Sequence, residues 1–153
     1  MSRARIDVTA TEPMRIAAVL GGKRVLGKDV RSLADLERVV AKGLPKSALS
    51  HLARHLAGGT SGRMLIVHDV VPAATFKRRR DRLTREESER TERLARVTAL
   101  AEDVLGDADE AVAFLREPHA LLERRRPLDV ALGEVGARRV EEILVAVRHG
   151  LPV

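Results

Sequence analysis

A chain of 153 residues, 44% apolar and 33% charged, holds enough apolar material for one sizeable core or two small ones and is too apolar for a disordered polymer. It has no cysteine and only two aromatic side chains, both Phe. That argues against a disulfide framework, a thiolate metal site, a Cys nucleophile and a base-stacking single-strand binder. The formal net charge of +6 is unevenly spread: residues 1–82 carry 17 Lys and Arg against 7 Asp and Glu, and residues 83–153 carry 11 against 15. A basic half suits an anionic polymer and a mildly acidic half suits a different partner, unless both are simply solvated surface. No run of about 18 apolar residues could span a membrane. Residues 1–7 lead into no apolar signal-peptide core, so a cytoplasmic protein is expected.

Residues 1–10 carry no pattern and read as a flexible arm. Thr11 with Pro13 opens a helix to about Leu20, which Gly21 and Gly22 stop. Ser32 and Asp35 form a cap, and Leu33, Leu36, Val39 and Val40 form the buried face of a helix ended by Gly43. Pro45 opens the next helix, with Ala48, Leu49, Leu52 and Leu56 on one side, and residues 58–62 are a break. Residues 64–67 fit a buried strand or a core helix, and their helical surroundings favour helix. Pro72 starts a helix over 73–82.

Thr84 and Glu87 make a T-x-x-E capping box. They open the longest helix, 84–105, whose apolar seam is Leu94, Val97, Ala101, Val104 and Leu105. Gly106 ends it, and Asp107 caps a short helix bearing Val112, Phe114 and Leu115. Pro127 begins a single turn before a closing helix whose stripe is Val140, Ile143, Leu144 and Val147. Arg148 and His149 suit its negative end, Gly150 stops it, and Leu151, Pro152 and Val153 trail as an apolar tail. The expectation is an all-α protein of seven or eight helices. It divides into the arm 1–10, an N-terminal domain 11–82 and a C-terminal domain 83–153.

Two stretches imitate nucleotide-binding motifs. Gly22-Lys-Arg-Val-Leu-Gly-Lys-Asp29 matches G-x-x-x-x-G-K, but Asp29 stands where the P-loop needs a hydroxyl, and its charge would repel phosphate. Residues 64–69 imitate the apolar run that ends in a metal-holding acid, without the parallel sheet such a domain requires. His51 and His55 have metal-ligand spacing, but no third ligand is evident and surface histidines are the simpler reading. No nucleophile motif, metal site or cofactor site is expected, so a non-enzymatic protein is. The basic run is more informative. A helix pair with a tight turn, its second helix carrying Thr75, Lys77, Arg78, Arg79 and Arg80, has the form of a helix-turn-helix reader. Thr75 would face base edges and the cations phosphates; the bland reading is a solvated helix end.

The run Thr75-x-Lys-Arg-Arg-Arg-x-Arg-Leu-Thr-x-Glu-Glu-Ser88, then Arg93-Leu-Ala-Arg-Val97 and Ala101-x-x-Val-Leu-Gly-Asp107, resembles the Xre/MbcA/ParS antitoxin family. So do Ala113-Phe-Leu115, Pro127-Leu-Asp129, Gly136-Ala-Arg-Arg-Val-Glu-Glu-Ile-Leu144 and Arg148-His-Gly150. The resemblance implies a helix-turn-helix-like N-terminal part and a C-terminal part that binds a RES-domain toxin. Such toxins break down NAD or transfer its ADP-ribose, and the antitoxin closes their NAD pocket. The chain departs from the family at His68–Thr75, where the turn usually contains Gly, at Pro118-His119 in place of Pro-Asn, and at Glu123-Arg-Arg-Arg126 in place of a Gly-rich loop.

On that resemblance the toxin contact is expected at Arg138, Arg139, Glu142, His149, Gly150, Leu151, Pro152 and Val153, with the Val153 carboxylate near groups that would otherwise hold phosphate. Operator DNA and a second copy of the chain, paired through the N-terminal half, are the other expected partners. The alternative is a stand-alone helix-turn-helix regulator with a C-terminal dimerisation module.

Overall fold

The computed structural model describes residues 9–58 and 60–153; the arm expected at 1–10 lies almost wholly outside them. The described residues form ten α-helices and one 3-10 turn, with no strand among them. The all-α expectation is met, with more and shorter helices than the apolar periodicity suggests. In order they are α1 Glu12–Val19, α2 Gly22–Leu26, α3 Leu33–Ala41, α4 Lys46–Ala57, α5 Thr60–Val70, α6 Ala73–Arg78, α7 Arg85–Leu105, α8 Ala108–Arg116, the 3-10 turn Ala120–Leu122, α9 Pro127–Val130 and α10 Glu134–Arg148.

The central element is α7. It packs against α1, α3 and α5 on one side of the sequence and against α8 and α10 on the other. Its buried face begins with Ser88 and Thr91, both fully enclosed, before the expected Leu94, Val97 and Ala101. Small hydroxyl side chains let other backbones come close, and each is satisfied: Ser88 Oγ accepts from Leu44 N–H at 2.8 Å, and Thr91 Oγ1 donates to the Glu87 carbonyl at 2.8 Å. Unpaired, each would cost about 1–3 kcal/mol. A second layer runs through α4, where Ala48, Leu49, Leu52, Ala53 and Leu56 are all buried as the stripe predicts. Leu115, Leu122, Leu128, Val140 and Leu144 continue one core cluster into the C-terminal half. Truncating any of these leucines to alanine costs about 2–5 kcal/mol.

Several local expectations change. Gly22 opens the short helix α2 instead of ending a segment. That places the first five residues of the G-x-x-x-x-G-K stretch on a helix, with Asp29 beyond its end paired to Arg31 at 2.8 Å. The break at 58–62 is shorter, because α5 starts at Thr60 and takes residues 64–67 as helix. Leu33 is 64% exposed and does not join the buried face of α3. Val147 is only half-buried on α10. The helix expected over 73–82 stops at Arg78, with Arg79 already extended.

That early stop is made by the chain around Gly43. Leu83 N–H donates to the Leu44 carbonyl at 2.8 Å, Lys46 N–H to the Asp81 carbonyl at 2.9 Å, and Arg82 to the Gly43 carbonyl at 2.8 Å. Gly43 has φ +90°, and a Cβ there would meet the Leu83 carbonyl oxygen at 2.4 Å. The 79–84 segment is therefore held against the α3–α4 turn and cannot continue as helix.

The two histidines have separate structural partners. His51 Nδ1 lies 3.1 Å from the Val19 carbonyl, and His55 pairs with Glu102, joining α4 to α7. Both are half-buried, so neither is the solvent-facing histidine expected from the sequence in preference to a metal ligand. The Glu102 carboxylate raises the His55 pKa above its ordinary value against the opposing effect of burial. A raised folded-state pKa gives stability that is full below the unfolded value of about 6.5 and is lost as pH rises through the folded value. His55→Gln is therefore expected to destabilise by about 1 kcal/mol near pH 6. In urea melts of both proteins from pH 6 to 9, the gap should shrink as pH rises.

Candidate functional site

Two surfaces collect the charged and apolar groups singled out by the sequence. The first is at α10 and its tail. Gly136 lets α10 start close beneath α9, since a Cβ there would sit 1.9 Å from the Val130 carbonyl oxygen. Arg96 then fixes the helix to α7, its Nε donating to Glu141 at 2.6 Å while its other nitrogens reach Glu92 and Glu134 at 3.2 and 3.6 Å. At the far end Leu151 N–H donates to the Ala146 carbonyl at 2.9 Å. That bond turns the tail back along the helix.

The returning tail makes one wall of a shallow groove of about 240 Å³; Leu121 and Leu122 line it with Arg139, Glu142, Ile143, Ala146, Pro152 and Val153. Four of the eight residues expected to meet a partner thus share one groove. Leu151 is exposed beside it, as are His149 and Gly150 at the helix end. Arg138 is not brought there. It lies with Glu134, 3.7 Å away, in a separate hollow lined also by Arg15, Arg96, Val145 and Arg148.

Leu121 and Glu123 were missed by the sequence reading. The segment 119–126 is a compact loop in which His119 N–H donates to the Arg125 carbonyl and Arg124 N–H to the His119 carbonyl. Glu123 and Arg124 have φ +53° and +60°, the left-handed region that side chains other than Gly, Asn and Asp rarely enter. What holds them is Arg139. Its two terminal nitrogens reach the two Glu123 oxygens at 2.6 and 3.2 Å, and it also donates to the Leu121 carbonyl at 3.0 Å. Arg125 adds a contact to Glu123 at 2.7 Å. These bonds, from Arg139 first and Arg125 second, pull the Glu123 carboxyl down to about 2. The signal available in the sequence was the replacement of a Gly-rich loop by Glu123-Arg-Arg-Arg126.

The second surface is α6. It follows α5 after the two-residue turn Val71-Pro72, and Arg90 secures the end of α5 by donating to the Val70 carbonyl at 3.1 Å. Lys46 seats the short helix: its Nζ lies 4.3 Å from the Phe76 ring centroid and donates to the Arg79 carbonyl at 2.9 Å. Lys77, Arg78 and Arg80 are exposed, and Thr75 is half-buried. Arg79 is engaged, donating to Glu87 at 2.8 Å. Burial pushes the Glu87 carboxyl up, but the bonds from Arg79 and Thr84 outweigh it and hold it below the usual carboxylate range.

Comparison with known proteins matches the segments that carry both surfaces. Residues 35–96 match the family described as Antitoxin Xre-like helix-turn-helix domain, and residues 100–150 match the Antitoxin Xre/MbcA/ParS C-terminal toxin-binding domain. The chain belongs to the Xre/MbcA/ParS antitoxin family. The α5–α6 pair falls in the helix-turn-helix match, and the Glu123 loop and α10 fall in the toxin-binding match. The Xre/MbcA/ParS family consists of antitoxins and not of enzymes. Antitoxin Xre of Pseudomonas putida is 34% identical over 84 residues, which are 53% of this chain and 53% of that protein; the match spans about half the length of this curated relative.

The positive φ at Arg124 gives a direct check on the loop. Arg124→Gly is expected to stabilise the protein by about 1 kcal/mol, because glycine enters this region without steric cost; thermal melts read it. Arg139→Ala should let the Glu123 carboxyl climb from about 2 toward the ordinary range, followed by carboxyl NMR titration. The depressed value means the clasp is intact above the usual carboxylate range and fails as pH falls through about 2.

Proposed function

We propose that this protein neutralises a RES-domain toxin that breaks down NAD or transfers its ADP-ribose, by covering the mouth of the toxin's NAD pocket. The observation that carries this is the coincidence of the toxin-binding family match at 100–150 with the groove built by α10 and the returning tail. An inhibitor of this kind has to fill an opening and needs no catalytic group of its own. Glu142, Pro152 and Val153 form the centre of the proposed contact, with Arg139 bracing the groove wall and His149, Gly150 and Leu151 at its edge. Arg138 joins it where the toxin straddles α10.

The N-terminal half, in the same proposal, binds operator DNA as one member of a homodimer and represses the chain's own operon. Lys77, Arg78 and Arg80 approach phosphates, and Thr75 lies near the bases. Arg79 contributes from behind, by holding the end of α6 against α7. No described helix is long and apolar enough to cross a membrane, and the proposed site of action is the cytoplasm, where NAD is drawn on.

Co-expression with the toxin of the same operon tests the first part: a complex that persists through size exclusion, with NAD preserved, is the expected result. Removing residues 151–153, which are exposed and contribute only the Leu151 backbone bond, should leave the melting temperature unchanged. Toxin affinity should fall about tenfold, or 1.4 kcal/mol, and full protection by the truncated chain would sink the tail model. For DNA, Lys77, Arg78 and Arg80 changed together to Gln should weaken retardation of the upstream region. The slope of log affinity against log salt should become shallower by about 3, at roughly 0.9 per phosphate contact.

A further inference from the structure

The groove beside the tail carries charge information that goes beyond its being a toxin contact, although the inference rests on that reading. Its lining is apolar except for Arg139 and Glu142. The two are not equivalent. Arg139 is engaged: both terminal nitrogens bind Glu123, and one also binds the Leu121 carbonyl. Glu142, nearly one helical turn along the same face, is exposed and has no hydrogen bond or ion pair among the described residues. Arg125 and Arg139 are both paired to Glu123. Glu142 feels Arg139 only through space, and of the two charged groups in the groove lining it is the one with no ion pair or hydrogen bond among the described residues.

An apolar trough with a single free carboxylate on its rim prefers one kind of occupant. An anionic segment would meet Glu142 as a like charge, with Arg139 already engaged by Glu123. A wholly apolar segment would cover Glu142 and leave a charge without a partner, which is costly. A segment with an apolar side chain next to a Lys or Arg fills the trough and gives Glu142 a direct ion-pair partner. The apolar group has Leu121, Ile143, Pro152 and Val153 to pack against, and the cation reaches outward to Glu142.

We propose that this groove docks a toxin segment presenting an apolar side chain beside a basic one, and that Glu142 is its charge-recognition residue. Arg139 is a positioning residue there. It acts by holding the Glu123 loop, and hence Leu121, in place, and not by touching the partner. From the sequence, Arg138, Arg139, Glu142 and His149 are grouped in one contact; here Arg139 and Glu142 have different roles within it.

The test uses the full chain and the purified RES-domain toxin of its operon, with affinities measured between 50 and 300 mM salt, a range over which exposed charge pairs are progressively screened (Debye length about 10 Å at 0.1 M). Glu142→Gln should weaken binding about fivefold at low salt and flatten the salt dependence; Glu142→Lys should weaken it further, now improving as salt rises. Leu121→Ser should weaken binding to a similar degree at every salt concentration. Arg139→Gln should weaken binding while leaving the salt slope as in the wild type, and Arg139→Lys should recover part of the loss. If wild type binds tightly and Glu142→Gln matches it in affinity and slope, the groove proposal is overturned and the antitoxin reading stands. If wild type does not bind this toxin at all, both are overturned. Glu142 makes no hydrogen bond or ion pair among the described residues, and a circular dichroism melt of each variant separates a folding defect from a binding one.

Discussion

The first turn of α7 is where the chain's separate segments are tied together. Glu87 accepts from its own cap at Thr84 and from Arg79 beyond the end of α6. One residue later Ser88 accepts from Leu44 in the α3–α4 turn. Without these bonds the first turn of the longest helix would bury a carboxylate and a hydroxyl with nothing to meet them. With them, α3, α4, α6 and α7 share a junction only a few residues across. Everything further along α7, including the seat of α10, inherits its position from that turn.

The same helix gives the two proposed surfaces a common support. Arg90 fixes the end of α5, while Arg93 donates to the Leu132 carbonyl at 2.9 and 3.1 Å and Arg96 holds Glu141 of α10. Three arginines spaced along one helix thus reach the α5–α6 pair on one side and the α9–α10 pair on the other. Rigid helical mounting suits surfaces whose specificity depends on placing a few side chains within fractions of an ångström. The core runs without interruption past residues 82–84, so a change of role along the sequence need not be a gap in packing.

Helix existence was legible wherever an apolar stripe and a cap agreed. The Thr84–Glu87 box and the Asp107 cap each came with such a stripe, the α4 stripe came with the Pro45 start, and each helix stands where expected. What was not legible came from groups whose partners are distant in sequence. The early end of α6 depends on hydrogen bonds from residues 43–46, and nothing between 73 and 82 announces it. Leu33 obeys the helical period yet faces outward, because the period fixes a face but not how wide the covering neighbour is. The same limit applied to function. Arg79 and Arg139 looked like free cations because their carboxylate partners lie eight and sixteen residues away in loops and caps. Conversely Glu142, one charge among many, became distinctive only when its neighbours proved to be paired.

The left-handed conformation of Glu123 and Arg124 also links distant positions in the sequence. A loop with glycine at these two places would need no clasp, since its backbone could take the turn unaided. Here ordinary L-residues take it, and the conformation depends on an arginine one helix away. Position 139 is thus bound to position 123 in a way that a glycine-bearing relative would not share. Across relatives the acid at 123 and the base at 139 are expected to come and go together. A chain that restored glycine in the loop would free its α10 arginine for some other use, so partner preference within the family could shift by a change in backbone freedom far from any contacting side chain.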